Sequence, residues 1–122
     1  MNPMTFCNEV EEIIGDDLRS LNAVPAGRVE TDRVEVCFFR VQDRTVAIDY
    51  QIREGAGCFV SPPGPANLSQ YESWEPLWSA LGMTKDIDTD EGLEAYLQLF
   101  PDDHDELIAF MGKSLVRYFG GV

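Results

Sequence analysis

Two acidic clusters hold the residue types best able to do chemistry in this chain. Asp86-Ile87-Asp88-Thr89-Asp90 sets carboxylates at alternate positions, which is how an EF-hand calcium loop opens. Such a loop also needs glycine at its sixth position for the sharp turn and a bidentate glutamate at its twelfth. Those positions are Glu91 and Leu97. The segment fits a helix start better, with Thr89 as N-cap and Asp90 and Glu91 in the first turn, where the helix dipole favours anions. Asp102-Asp103-His104-Asp105-Glu106 is the second cluster, and it contains the only histidine. A histidine among carboxylates is able to act as a general base or a metal ligand. There is no H-E-x-x-H, no second histidine, and no Ser or Cys at motif spacing. The expected role is a capped, charged helix start or an acidic contact patch. The sequence assigns no catalytic residue, no cofactor and no metal, and it is not expected to be an enzyme.

Other candidates are weighed the same way. Trp74 and Trp78 stand one helical turn apart, with Tyr71 before them and Glu72 and Glu75 beside them. Aromatics flanked by acids suit recognition of a basic, partly apolar surface. They equally suit packing of a short helix on a sheet. Cys7, Cys37 and Cys58 are odd in number and widely spaced, with no C-x-x-C, so neither a disulfide framework nor a zinc site is expected. Small buried thiols in a reducing compartment are the plainer reading. Arg28, Arg33, Arg40, Arg44 and Arg53 alternate with acids and are expected to form cross-strand pairs on a solvated sheet face. Gly55-Ala56-Gly57 lies between strands and lacks the lysine and helix of a phosphate loop.

The charge balance narrows the partner. The chain has 122 residues, with 22 acidic and 9 basic ones and a net charge of −13. Phosphate backbones and anionic membranes attract clustered Lys and Arg, so direct nucleic-acid or membrane binding is disfavoured and a basic protein partner favoured. The excess is uneven: −4 over residues 1–22, −1 over 23–61 and −8 over 62–122. No apolar run approaches the roughly 20 residues of a membrane span. Residues 1–10 show neither the basic nor the apolar region of a signal peptide, so a cytoplasmic location is expected.

The elements that must position these groups follow from periodicity. The size fits one domain over 1–122. Asn2-Pro3 reads as the cap of a helix through Phe6, Val10, Ile13, Ile14, Leu18 and Leu21, with an interruption at Gly15 and an end at 22–27. Residues 33–41 form a strand buried on both faces toward its end. Residues 45–52 form a half-buried strand with Val46, Ile48, Tyr50 and Ile52 on one face. Gln42-Asp43-Arg44 is a hairpin turn, and a turn at 54–57 leads into a short strand at 58–60. Residues 61–67 are a stiff Pro-rich connector. Three helices follow. The first is capped by Ser73 and ends at Gly82. The second is capped by Thr89 and stops before Pro101. The third is capped by Asp102 or Asp103 and ends at Gly120-Gly121. The expected fold is α+β: an N-terminal helix, a three- to four-stranded antiparallel meander, then three helices packed on one sheet face.

The segment from Arg33 to Phe119 resembles small acidic immunity proteins of bacterial polymorphic-toxin systems. The features that carry this are the meander strand Arg33-Val-Glu-Val-Cys-Phe-Phe-Arg-Val41, the short helix Trp74-Glu-Pro-Leu-Trp-Ser-Ala-Leu-Gly82, and the amphipathic helix Leu107-Ile-Ala-Phe-Met-Gly-Lys-Ser-Leu115. The resemblance implies an inhibitor that neutralises a basic toxin or nucleic-acid-acting enzyme in a tight complex. Asp86, Asp88, Asp90, Asp102, Asp103, Asp105 and Glu106, with Tyr71, Glu72, Trp74, Glu75 and Trp78, are the candidate partner-binding residues. A small acidic chaperone for a secreted effector, or a nucleic-acid-mimicking phage or host inhibitor, shares the same composition. The oligomeric state is left open.

Overall fold

The computed structural model describes residues 5–51, 55–83 and 88–120. Helix α1 (Phe6–Ser20) is followed by strands β1 (Val24–Glu30), β2 (Val34–Val41), β3 (Arg44–Gln51) and β4 (Gly55–Val60). A 3-10 helix (Leu68–Ser73), a two-residue strand β5 (Glu75–Pro76), and helices α2 (Leu77–Ala80), α3 (Asp90–Gln98) and α4 (His104–Gly120) complete the chain. The fold is α+β, as expected, with α1 packed against α4. The sheet is a five-stranded antiparallel meander in the order β1-β2-β3-β4-β5, one or two strands more than the expected three to four, with β1 and β5 at its edges.

The first added strand lies where Pro25 and Gly27 read as helix breakers. Both are accommodated because β1 is an edge strand exposed along its whole length, where a missing N–H costs no ladder bond. The register shifts between Pro25 and Gly27, leaving Ala26 unopposed as a bulge, with Gly27 at φ +148°. At the start of the chain, Asn2-Pro3 lies outside the described residues. The cap of α1 is Thr5, whose hydroxyl accepts from the Asn8 N–H at 3.2 Å. The expected interruption falls one residue early, at Ile14 (φ −116°, ψ 20°).

The sheet buries both faces. On one, Cys37, Phe39, Val41, Val46, Ile48, Cys58 and Val60 meet Val10, Ile14 and Leu18 of α1 and Ile108, Met111 and Leu115 of α4. Contacts between the helices advance in step: Glu9 meets His104, and Ile14 and Asp17 meet Gly112. The two helices therefore run parallel. Gly112 is where they touch most closely. A Cβ there would lie 2.5 Å from Ile14 Cγ2 and 2.6 Å from Asp17 Oδ2.

The other face holds Val36, Phe38 and Ala47 under Tyr71 and Trp74. β3 is therefore not half-buried: Thr45 through Asp49 are all buried, while Ile52 lies outside the described residues. Asp49 is only 3% exposed. It accepts hydrogen bonds from the Tyr71 hydroxyl (3.0 Å) and the Gln51 amide (3.1 Å). Opposite it stands Gly57, where a Cβ would approach Asp49 Oδ1 to 2.8 Å. Burial, then the Asp49 charge, raises the Tyr71 phenol above its ordinary range. The Cys58 thiol is pushed up by the same two causes in the same order.

The arginines differ from expectation. Arg40 donates to the Gly64 carbonyl (2.9 Å) and to Thr45 Oγ1 (3.2 Å), and Arg44 donates to the Ser61 carbonyl (3.2 Å). They fasten the Pro-rich connector to the sheet instead of pairing with acids across strands. Arg28 pairs with Glu11 (3.2 Å) and Glu30 (3.7 Å). Arg53 and the start of the expected 54–57 turn lie outside the described residues, and β4 already begins at Gly55.

Two substitutions test this packing. Gly112→Ala should destabilise the protein by about 1–3 kcal/mol in urea unfolding, because α1 must move to admit a methyl group. Tyr71→Phe, which leaves buried Asp49 one donor short, should cost about 1–3 kcal/mol in the same assay.

Candidate functional site

The residues from Asp88 to Gly112 include eight carboxylates and no lysine or arginine. All eight (Asp88, Asp90, Glu91, Glu94, Asp102, Asp103, Asp105 and Glu106) are exposed, and among the described residues none of them forms an ion pair. Some also do local work. The Thr89 hydroxyl accepts from the Gly92 N–H at 3.0 Å, so Asp90 and Glu91 occupy the first turn of α3 as expected. Asp103 Oδ2 accepts from the Glu106 N–H at 3.0 Å, which makes Asp103 the cap of α4.

Helix α3 differs from its neighbours in burying no residue. Its attachment is aromatic. Phe100 lies edge-on to Trp78 (4.8 Å between ring centroids), Tyr96 (4.9 Å) and Phe110 (5.6 Å). Burial lifts the Tyr96 phenol above its ordinary range. Leu93, Tyr96, Leu97, Leu99 and Phe100 together span roughly 160° of a helical circumference, at 100° per residue. The body of the domain covers the aromatic middle of that arc and leaves its leucine flanks to solvent. Leu93, Leu97 and Leu99 stay 41%, 59% and 50% exposed.

Leu93 and Leu97 lie among the acids. Asp90, Leu93, Glu94, Leu97, Gln98, Phe100 and Asp102 line an open concavity of about 490 Å³. The structure thus brings both acidic clusters to one surface, through Asp90 and Asp102. Asp86 lies outside the described residues. The arrangement is suited to cationic side chains whose apolar stems lie along leucine while their heads meet carboxylates.

The aromatic candidates lie elsewhere. Trp74 and Trp78 do not share a helix, because residues 74–76 are extended and α2 begins only at Leu77; Ser73 closes the 3-10 helix instead of capping α2. The two indoles consequently fall on opposite faces of the sheet. Tyr71, Trp74 and Trp78 are 8%, 7% and 8% exposed and belong to the two cores. Glu72 and Glu75 are exposed beside Tyr71 and Trp74, away from α3.

His104 also faces away from the acidic surface. Its Nε2 lies 2.9 Å from Glu9 Oε2, and its ring packs near Phe6 (6.0 Å) and edge-on to Tyr50 (5.4 Å). It ties the start of α4 to α1. Leu93, Leu97, Leu99 and Glu94 were not singled out from sequence. The visible signal was the width of the α3 apolar arc, which exceeds what so short a helix can bury. Among the described residues no helix is long and apolar enough to cross a membrane. No known protein family matches the chain, and no characterised protein or solved structure is measurably similar to it.

Truncations separate core from surface. Trp78→Ala should cost about 3–5 kcal/mol in chemical unfolding. Leu97→Ala should stay within about 0.5 kcal/mol, as for a surface side chain that supports nothing beneath it.

Proposed function

We propose that this protein is an acidic inhibitor of the immunity type, which neutralises a basic toxin or nucleic-acid-acting enzyme by docking α3 and the start of α4 onto it. One observation carries the reading: α3 exposes Leu93 and Leu97 inside a field of eight carboxylates that form no ion pair among the described residues. Exposed leucine costs solubility unless it is covered, and the surrounding charge selects a cationic cover.

Charge and leucine have separate roles in this scheme. The carboxylates steer the encounter, which lifts association toward roughly 10⁸ M⁻¹s⁻¹ at low salt. Leu93 and Leu97 supply the apolar contact that holds the complex once formed. Trp78, buried against Phe100, supports the surface from beneath. The protein's expected cytoplasmic location and its resemblance to immunity proteins agree with this assignment.

The test begins with affinity capture from source lysate, eluted in salt steps, followed by stopped-flow association with the recovered partner. Wild-type protein should retain one basic protein in equimolar ratio. Glu94→Lys with Asp102→Lys should slow association about tenfold or more at low salt and flatten its salt dependence. Leu97→Asp should speed dissociation without lowering stability. Wild-type kinetics in both variants would remove this surface from the interface. A free protein that sediments as a dimer, and as a monomer after Leu97→Asp, would assign the face to self-association, as the chaperone alternative expects.

A further inference from the structure

A second cluster lies at the other end of the sheet, beneath the start of α1. The β1–β2 register sets Glu30 directly opposite Glu35, and Arg28 opposite Cys37. Two carboxylates facing each other across an antiparallel pair repel. Cys7, the second residue of α1, lies over them. Its Sγ and one carboxylate oxygen from each glutamate all fall within 4.8 Å of one another. Cys37 is two residues along β2 from Glu35, hence on the same face of the sheet, and it is buried with Cys7 in the core that α1 covers.

We propose that Cys7, Glu30 and Glu35 form a binding site for a single zinc ion, with the fourth position left to solvent. Zinc accepts thiolate sulfur and carboxylate oxygen together in a four-coordinate shell, and three such donors converge here. The Cys7 thiol is buried and forms the floor, while half-buried Glu35 and exposed Glu30 form the rim by which an ion enters. Glu35 Oε2 already accepts the Phe6 N–H at 2.7 Å, which fixes the carboxylate and leaves its other oxygen to the metal. A divalent cation also removes the repulsion between the opposed glutamates. Arg28 is the nearest competing cation, 3.7 Å from Glu30 but 3.2 Å from Glu11. On zinc binding Glu30 leaves Arg28, which keeps Glu11. The spacing of the cysteines in sequence argues against a zinc site only for ligands adjacent along the chain. Here the strand register and the seating of α1 assemble the ligands from three elements.

The experiment is titration of the phosphine-reduced full chain with Co²⁺, followed by displacement with Zn²⁺. One equivalent of Co²⁺ should give tetrahedral d–d bands and a thiolate-to-cobalt charge-transfer band, both abolished by Zn²⁺. Cys7→Ser should remove the charge-transfer intensity, whereas Cys58→Ser should leave it intact. Cys7 is buried and its variant is open to a folding defect, so the rim variants decide. Glu30→Gln and Glu35→Gln should each weaken Co²⁺ binding about tenfold or more, with unchanged circular dichroism. No charge-transfer band in wild-type protein whose thiols are verified as reduced would overturn the site. A band of undiminished affinity in both glutamine variants would also overturn it.

Discussion

The fold depends on the close approach of α4 to α1 at Gly112. The meander is built from neighbours in sequence and closes on itself hairpin by hairpin. Only the helix pair joins the first element to the last, and it does so over the sheet face that holds most of the core. With no side chain at residue 112, α4 sinks onto Ile14 and Asp17. The non-helical backbone of α1 falls at this same crossing, at Ile14. Parallel packing then places both helix N-termini at one end of the domain. Their dipoles repel unless anions are present, and Glu9, Glu35, Asp103, Asp105 and Glu106 supply them.

The acidity of the chain therefore divides by use. Asp49 is spent inside the second core under Tyr71, Glu35 on the first N–H of α1, Glu11 on Arg28, and Glu9 on His104. Each of these has a specific donor. Among the described residues the carboxylates around α3 have none that is cationic, and they border leucines that the core does not reach. That contrast within one molecule, more than the net charge, distinguishes charge that holds the fold from charge free to meet a partner.

Much of this was legible in the sequence, and the failures have physical causes. The presence of β2 and β3 and the cap Thr89 are local signals that the sequence carries, and Asp103 is one of the two caps it offers for α4. β1 was hidden because Pro25 and Gly27 are breakers everywhere except at a bulged sheet edge. The burial of β3 on both faces was hidden because its cover, Tyr71 and Trp74, comes from a 3-10 segment with no periodicity to announce it. Trp74 and Trp78 have helical spacing, but Pro76 keeps the intervening backbone extended and sends them to different faces. Leu93 and Leu97 have the spacing of a core helix. Their exposure follows from how little of the domain remains to cover them, which no local pattern records.

The tie between α1 and α4 also bears on how the chain reaches this state. Glu9 and His104 are 95 positions apart. Closing so long a loop in a disordered chain costs about 4 kcal/mol in entropy beyond the constant term. Each hairpin formed beforehand shortens the path between those ends. The route of least cost therefore builds the meander first and seats α4 last, a high-contact-order ending that sets a slow pace for refolding. Until that docking, α1 lies on the sheet with its α4-facing side open to water, and the half-built layer is the species most exposed to aggregation.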